Sequence, residues 1–219
     1  MDDEIRAAVV AAGARLAARG LVIGTGGNLS VRAGDRVLVT PTGVALGELS
    51  PAQLTVVDLA GTVIEGELAP TSELPLHLMV YRSTGAAAVA HAHALTSIAV
   101  GAVLDVLPAI HYTTLLLGGE VRVAPYATFG SDALAKHVTA ALDGRAAALM
   151  RNHGSVAHGA DLNQACERLE LVEWLAEAYY RAAAIGTPKI LTDAELLDVL
   201  ATARATGYGT PRPVNRETR

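Results

Sequence analysis

His91, Ala92 and His93 close an apolar run, Ala86 to Ala90, that reads as a buried strand. Strand side chains alternate between faces, so residues 91 and 93 point the same way and set two imidazoles side by side. Such a pair has two uses: neutral core histidines with paired ring nitrogens, or two ligands of one metal ion. A third candidate ligand, His153, stands far downstream in Met150-Arg151-Asn152-His153-Gly154, after a second apolar run. Glu73 follows Thr71-Ser72 at the start of a helical pattern. Alone it is an ordinary first-turn acid that complements the helix dipole; beside a metal it serves as ligand or general base.

Gly24-Thr25-Gly26-Gly27-Asn28 is glycine-rich, but it follows a helix and enters a strand. That order is wrong for a dinucleotide fingerprint, and the lysine of a phosphate-binding loop is missing. Either the segment is a turn that needs positive φ, or its amides and the Asn28 side chain hold an anion. Thr42-Gly43 and Thr71-Ser72 add neutral donors, and Ser72 is also placed to cap the helix that follows it.

These motifs occur in the order and spacing of a known family. Gly26-Gly27-Asn28-Leu29-Ser30, Thr40-Pro41-Thr42-Gly43, Thr71-Ser72-Glu73 with His77, His91-Ala92-His93 and Asn152-His153-Gly154 resemble the class II aldolase/adducin head family. Pro108-Ala109-Ile110-His111-Tyr112 and Pro125-Tyr126-Ala127-Thr128-Phe129-Gly130 are similar to its L-fuculose-1-phosphate aldolase branch. The resemblance spans essentially the whole chain. It implies that His91, His93 and His153 bind Zn2+, with Co2+ or Mn2+ as substitutes, and that Glu73 is both a resting ligand and the acid/base. It implies a phosphate site at Gly27, Asn28, Thr42, Gly43, Thr71 and Ser72, where Thr71 replaces the more usual serine and keeps the hydroxyl. Tyr112 matches a tyrosine that handles the aldehyde oxygen from a neighbouring subunit. Phe129 matches an aromatic wall. Tyr208 resembles a tyrosine of the C-terminal tail, in different surroundings.

The implied enzyme is a cyclic homotetramer with active sites at subunit interfaces, cleaving a ketose 1-phosphate to dihydroxyacetone phosphate and an aldehyde. Within the family, a 5-deoxypentulose-1-phosphate aldolase is the near rival, to be separated by pocket shape near Phe129, Tyr208 and Thr114. L-Ribulose-5-phosphate epimerases share the metal triad but not the Tyr112 and Phe129 motifs. A 5-methylthioribulose-1-phosphate dehydratase would eliminate water instead. An adducin-like binding module would lack the metal ligands, which are all present here.

The elements that must position these residues are legible in outline. Apolar residues at helical spacing mark a helix over 3–19, ended by Gly20. Hairpins are expected at 29–40 and 56–64, a short helix at Ser50-Pro51 and a helix from Ser72 to about Arg82. The strand ending in the paired histidines comes next, then a helix towards Val103 capped by Thr96 or Ser97. Further strands are expected at 110–117, 121–124 and 146–150, and helices at 131–142 and 161–185. Thr192-Asp193-Ala194-Glu195 has capping-box spacing and opens the last helix. Hairpins mixed with helices predict one α/β domain, 1–219, with a central, mainly antiparallel sheet. The family resemblance adds helices on both faces. The polar, proline-containing tail 207–219 is expected to be mobile.

Composition narrows the partners. Of 219 residues, 51% are hydrophobic but only 4% aromatic, so Ala, Val and Leu must build the core. A net charge of −5 with no basic stripe argues against a nucleic-acid partner. Cys166, the single cysteine, reads as a small core residue rather than a disulfide or zinc-knuckle partner. The acidic start lacks the basic region of a secretory signal, and the longest apolar run, near 94–104, is too short for a membrane span. A cytoplasmic protein without membrane contact is expected.

Overall fold

The computed structural model describes residues 2–209. Helix α1 (Asp3–Ala18) leads into the hairpin β1 (Asn28–Ala33) and β2 (Arg36–Val39), then β3 (Thr55–Asp58) and β4 (Val63–Glu65). Helix α2 (Leu74–Ser83) precedes β5 (Ala88–Ala92), α3 (Leu95–Val103) and the short β6 (Val106–Leu107). After a 3₁₀ helix, Tyr112–Leu117, come β7 (Val121–Ala124), α4 (Asp132–Ala141), β8 (Ala147–Met150) and β9 (Gly154–Gly159). Helices α5 (Leu162–Ile185) and α6 (Asp193–Thr206) complete it.

The nine strands among the described residues join one sheet in the order β4-β3-β2-β1-β5-β9-β8-β7-β6. Every pairing is antiparallel except β7 with β8. Period-two alternation splits the buried side chains into two layers. Ala88, Ala90 and Ala92 of β5 face one layer with Val9 and Leu16 of α1, Val100 of α3 and Leu169 and Val172 of α5. Val89 faces the opposite layer with Leu76 and Val80 of α2 and Leu134 and Val138 of α4. Helices therefore cover both faces, and Cys166 is buried among the α5 residues as expected.

Side-chain caps explain several helix starts. Asp2, Ser131 and Asp161 accept the backbone N–H of Glu4, Leu134 and Gln164, and Thr192 and Glu195 form the reciprocal capping box.

Three expectations are corrected. Residues 110–117 are not a strand: His111 accepts the Thr113 N–H and opens the 3₁₀ helix, which Gly118 ends at φ 89°. A short apolar run does not distinguish the two by periodicity. Strand β9, which the sequence reading passes over, lies at the centre of the sheet between β5 and β8. Helix α3 begins after Ala94, and neither Thr96 nor Ser97 caps it with its own side chain.

No helix among the described residues is long and apolar enough to cross a membrane. Of the tail 207–219, only 207–209 are described, as a turn after α6; residues 210–219 lie outside the described residues.

Candidate metal centre

The register of the central strands assembles the site. Asn28 of β1 pairs with His91 of β5, and β9 pairs with the same strand from the other side, Ser155 opposite Ala92. His153 sits in the tight turn that closes β8 onto β9, just after Asn152, which adopts left-handed φ at 54°. Gly154 makes this approach feasible: a Cβ there would fall 2.2 Å from the Ala92 carbonyl oxygen. On the other side a Cβ at Gly26 would meet His93 Nδ1 at 2.8 Å. Two glycines thus let distant loops close around the His91–His93 pair.

The three imidazoles form a near-equilateral set, with ring centroids 4.8, 4.9 and 4.9 Å apart. Glu73 lies at the N-cap position of α2, but its side chain makes no capping bond and turns to the histidines instead. Glu73 Oε2 is 2.9 Å from His91 Nε2, and Oε1 is 3.2 Å from His153 Nε2. His93 Nε2 is 2.9 Å from His91 Nε2. Ser72, expected as the cap, is exposed; it is the Thr71 hydroxyl that accepts the Glu73 N–H at 3.3 Å.

The ligand atoms of Glu73, His91, His93 and His153 all lie within 4.8 Å of one another. The Ser155 carbonyl can only accept, so His91 donates Nδ1–H to it at 2.9 Å and presents Nε2 to the cluster. Glu73 Oε1 is buried, and its approach to His153 lacks hydrogen-bond alignment, which leaves a carboxylate oxygen unpartnered. An orphaned anionic oxygen beside three convergent imidazoles fits a divalent cation, and three nitrogens plus one oxygen suit zinc-type coordination.

Charge follows the same logic. Burial would raise the Glu73 carboxyl, but His91, His153 and the Asn28 amide outweigh it and hold it well below the usual carboxylate range. His91 is raised against its own burial by that carboxylate. His93 and His153 are lowered to about 4 by burial and by positive charge at His91. The cluster favours positive charge at its centre and keeps its outer imidazoles neutral, the form that ligates.

Above the cluster opens a cavity of about 420 Å³. Gly27, Asn28, Thr42, Gly43, Thr71 and Ser72 line it, as do Phe129 and Tyr126. The loops carrying these donors run together, with Thr71 N–H on the Thr40 carbonyl and Thr42 N–H on that of Ala69. Among the described residues, no lysine or arginine lines this cavity. A larger cleft of about 880 Å³ beside α4 holds Lys136, Arg145 and Arg168 but none of the four metal-type donors.

Tyr112 and Tyr208 are not brought to this cavity within the chain; they meet each other, hydroxyl to hydroxyl at 3.2 Å. That contact pushes the Tyr112 phenol above its ordinary value. Thr114 is buried and bonded to the Gly119 carbonyl. Arg151 pairs with the exposed Asp105. His158 lies in β9 and bonds the Arg145 carbonyl.

Two residues support the site from behind, and the sequence reading assigned a role to neither. Glu173 of α5 supplies the missing cap of α3, accepting the Thr96 and Ser97 N–H at 2.9 and 2.7 Å. His77, named above only within the Thr71-Ser72-Glu73 motif, is fully buried and bonded to Ser30 and Asn28. Its position one turn after Glu73 was the available signal; Glu173 offered none, being one acid among several on a long helix.

The family model described as Class II Aldolase and Adducin N-terminal domain matches residues 7–180. An L-fuculose phosphate aldolase of Escherichia coli K12 is 41% identical over 184 residues, 83% of this chain and 85% of that protein. A 5-deoxy-D-ribulose 1-phosphate aldolase of Bacillus thuringiensis serovar kurstaki is 35% identical over 207 residues, 93% of this chain and 96% of that one. A solved structure titled L-fuculose 1-phosphate aldolase superposes with a TM-score of 0.89 at 34% identity, covering 93% of this chain and 98% of the other.

Proposed function

Since the chain belongs to the class II aldolase and adducin family, we propose that it is a Zn2+-dependent aldolase of ketose 1-phosphates, with L-fuculose 1-phosphate as the leading substrate. The products are dihydroxyacetone phosphate and L-lactaldehyde. One observation carries the reading: Glu73 converges with three imidazoles beside a cavity that neutral anion-type donors also line.

His91, His93 and His153 hold the cation, with Glu73 as the fourth donor at rest. Bound there, a divalent cation stabilises negative charge that develops at the substrate's ketone oxygen. Gly27, Asn28, Thr42, Gly43, Thr71 and Ser72 take the phosphate by short-range hydrogen bonds, since no cationic side chain among the described residues lines the cavity. Glu73, kept anionic, removes the proton from dihydroxyacetone phosphate in synthesis and returns it to the same carbon after cleavage. Tyr112, reaching in from a neighbouring subunit, accepts the proton of the hydroxyl that becomes the aldehyde oxygen, and Tyr208 joins it. Phe129 packs against the aldehyde chain. As the family resemblance implies, the working form is a cyclic homotetramer, and we assign it to the cytoplasm.

A second reading, a 5-deoxypentulose-1-phosphate aldolase, is favoured by the Bacillus relative, which aligns over more of both chains. One wall of Phe129 distinguishes aldehydes by only about 1–3 kcal/mol per methylene or hydroxyl. The deciding experiment is aldol addition of dihydroxyacetone phosphate to L-lactaldehyde and to acetaldehyde, compared by kcat/KM. Preference for lactaldehyde supports the leading reading, and preference for acetaldehyde the second. Water loss from 5-methylthioribulose 1-phosphate without triose phosphate would indicate the dehydratase, and absence of all turnover the binding module.

A further inference from the structure

A continuous run of buried polar contacts leads from α2 and β1 into the site. Tyr81 and Ser30 hydroxyls lie 2.6 Å apart, Ser30 Oγ is 2.7 Å from His77 Nδ1, and His77 Nε2 is 2.5 Å from Asn28 Oδ1. Asn28 Nδ2 then donates to Glu73 Oε2 at 3.0 Å. Tyr81, Ser30, His77 and Asn28 are all buried, so no solvent competes for these bonds.

The carboxylate fixes the direction of every bond. Glu73 can only accept, so the Asn28 atom facing it is the NH2 and the carbonyl faces His77. That carbonyl can only accept, so His77 carries its proton on Nε2. Neutral His77 then accepts at Nδ1, which requires the Ser30 hydroxyl to donate. Ser30 has a single proton, so Tyr81 must donate to Ser30. The run is one-way: Tyr81 to Ser30 to His77 to Asn28 to Glu73. Its direction is read from donor and acceptor inventories, with Glu73 ionised and His77 neutral.

We propose that His77 is a positioning residue that locks the Asn28 amide with its NH2 towards Glu73 and the cavity. Asn28 has two amide protons. One orients the acid/base, and the other is left for the substrate phosphate. Released from His77, the amide can turn over and present its carbonyl to a carboxylate and a phosphate, two groups that would repel it. The claim deepens the aldolase reading and rests on it for its kinetic part.

Two substitutions separate positioning from packing. In His77→Gln the side-chain amide nitrogen reaches the place of Nε2 and can still donate to Asn28. In His77→Asn the shorter side chain reaches only the place of Nδ1 and keeps Ser30 alone. The account expects H77Q to hold kcat/KM for L-fuculose 1-phosphate within about tenfold of the parent and H77N to lose about 10²-fold at unchanged metal content. Equal losses in both variants, or losses that merely follow metal content, would overturn it. Nitrogen NMR of the parent protein gives a readout independent of turnover: His77 must show a proton on Nε2 and a bare Nδ1. The opposite tautomer defeats the proposal even if the aldolase reading stands. Failure of the parent to cleave any ketose phosphate defeats the aldolase reading and leaves the tautomer to decide the chain of bonds.

Discussion

The carboxylate of Glu173 accepts both the backbone N–H and the hydroxyl of Ser97, each at 2.7 Å. Glu173 thereby closes the N-terminus of α3, which starts two residues after His93, from a different helix. A helix end without a cap leaves unpaired N–H groups, and an anion is favoured there by charge and geometry.

Removing that cap tests its value. Glu173→Ala is expected to cost about 1–3 kcal/mol of stability, because Ser97 is buried and cannot turn to water. It is also expected to weaken metal binding by loosening the chain that carries His93. Urea denaturation and metal titration check both; unchanged values in both would show that the contact is incidental.

The acid/base assignment depends on Glu73. Glu73→Gln keeps the size of the side chain but removes the basic carboxylate that takes up and returns the proton. Aldol turnover is expected to fall about 10²–10⁴-fold with the fold retained by circular dichroism. Full turnover in this variant would refute the role.

Stability should carry a pH signature of His77. Burial pushes its imidazole down to about 3 from the ordinary 6.5. Between those values the unfolded chain binds a proton that the folded chain refuses. This contribution is complete above pH 6.5 and is lost as pH falls through the window, at up to about 1.4 kcal/mol per pH unit. Urea midpoints from pH 7 to 5 should fall more gently in H77Q than in the parent. Parallel slopes would mean that His77 is not the group refusing the proton.

Cys166 should be inert in the native protein. Burial raises its thiol from 9.0 to about 11, so the thiolate fraction is about a hundredfold below that of an ordinary thiol. A thiol reagent at pH 8 is expected to label it only after denaturant is added. Rapid labelling of folded protein would contradict the buried position.

Much of this architecture was legible from local signals. Period-two alternation gave the hairpins and the shared face of His91 and His93, and capping residues marked helices such as α4 and α5 within a residue or two. What stayed hidden was non-local. Strand β9 is Gly-Ser-Val-Ala-His-Gly, small residues whose strand character comes from burial between two neighbours rather than from propensity. The 3₁₀ helix at Tyr112–Leu117 carries strand-like residues, and His111 and Gly118 decide its ends. In the site, each of the four clustered donors could be named from its motif. The Glu173 cap depends on a contact across 76 residues, which no spacing rule reveals.

The central claim is that three imidazoles and Glu73 hold one divalent cation on which carbon–carbon bond cleavage depends. The direct test is triose-phosphate release from L-fuculose 1-phosphate by protein stripped of metal with a chelator, its metal content measured alongside, and again after Zn2+ is restored. The account predicts loss of turnover on stripping and recovery at about one Zn2+ per chain. Undiminished turnover in protein shown to be free of metal would contradict it.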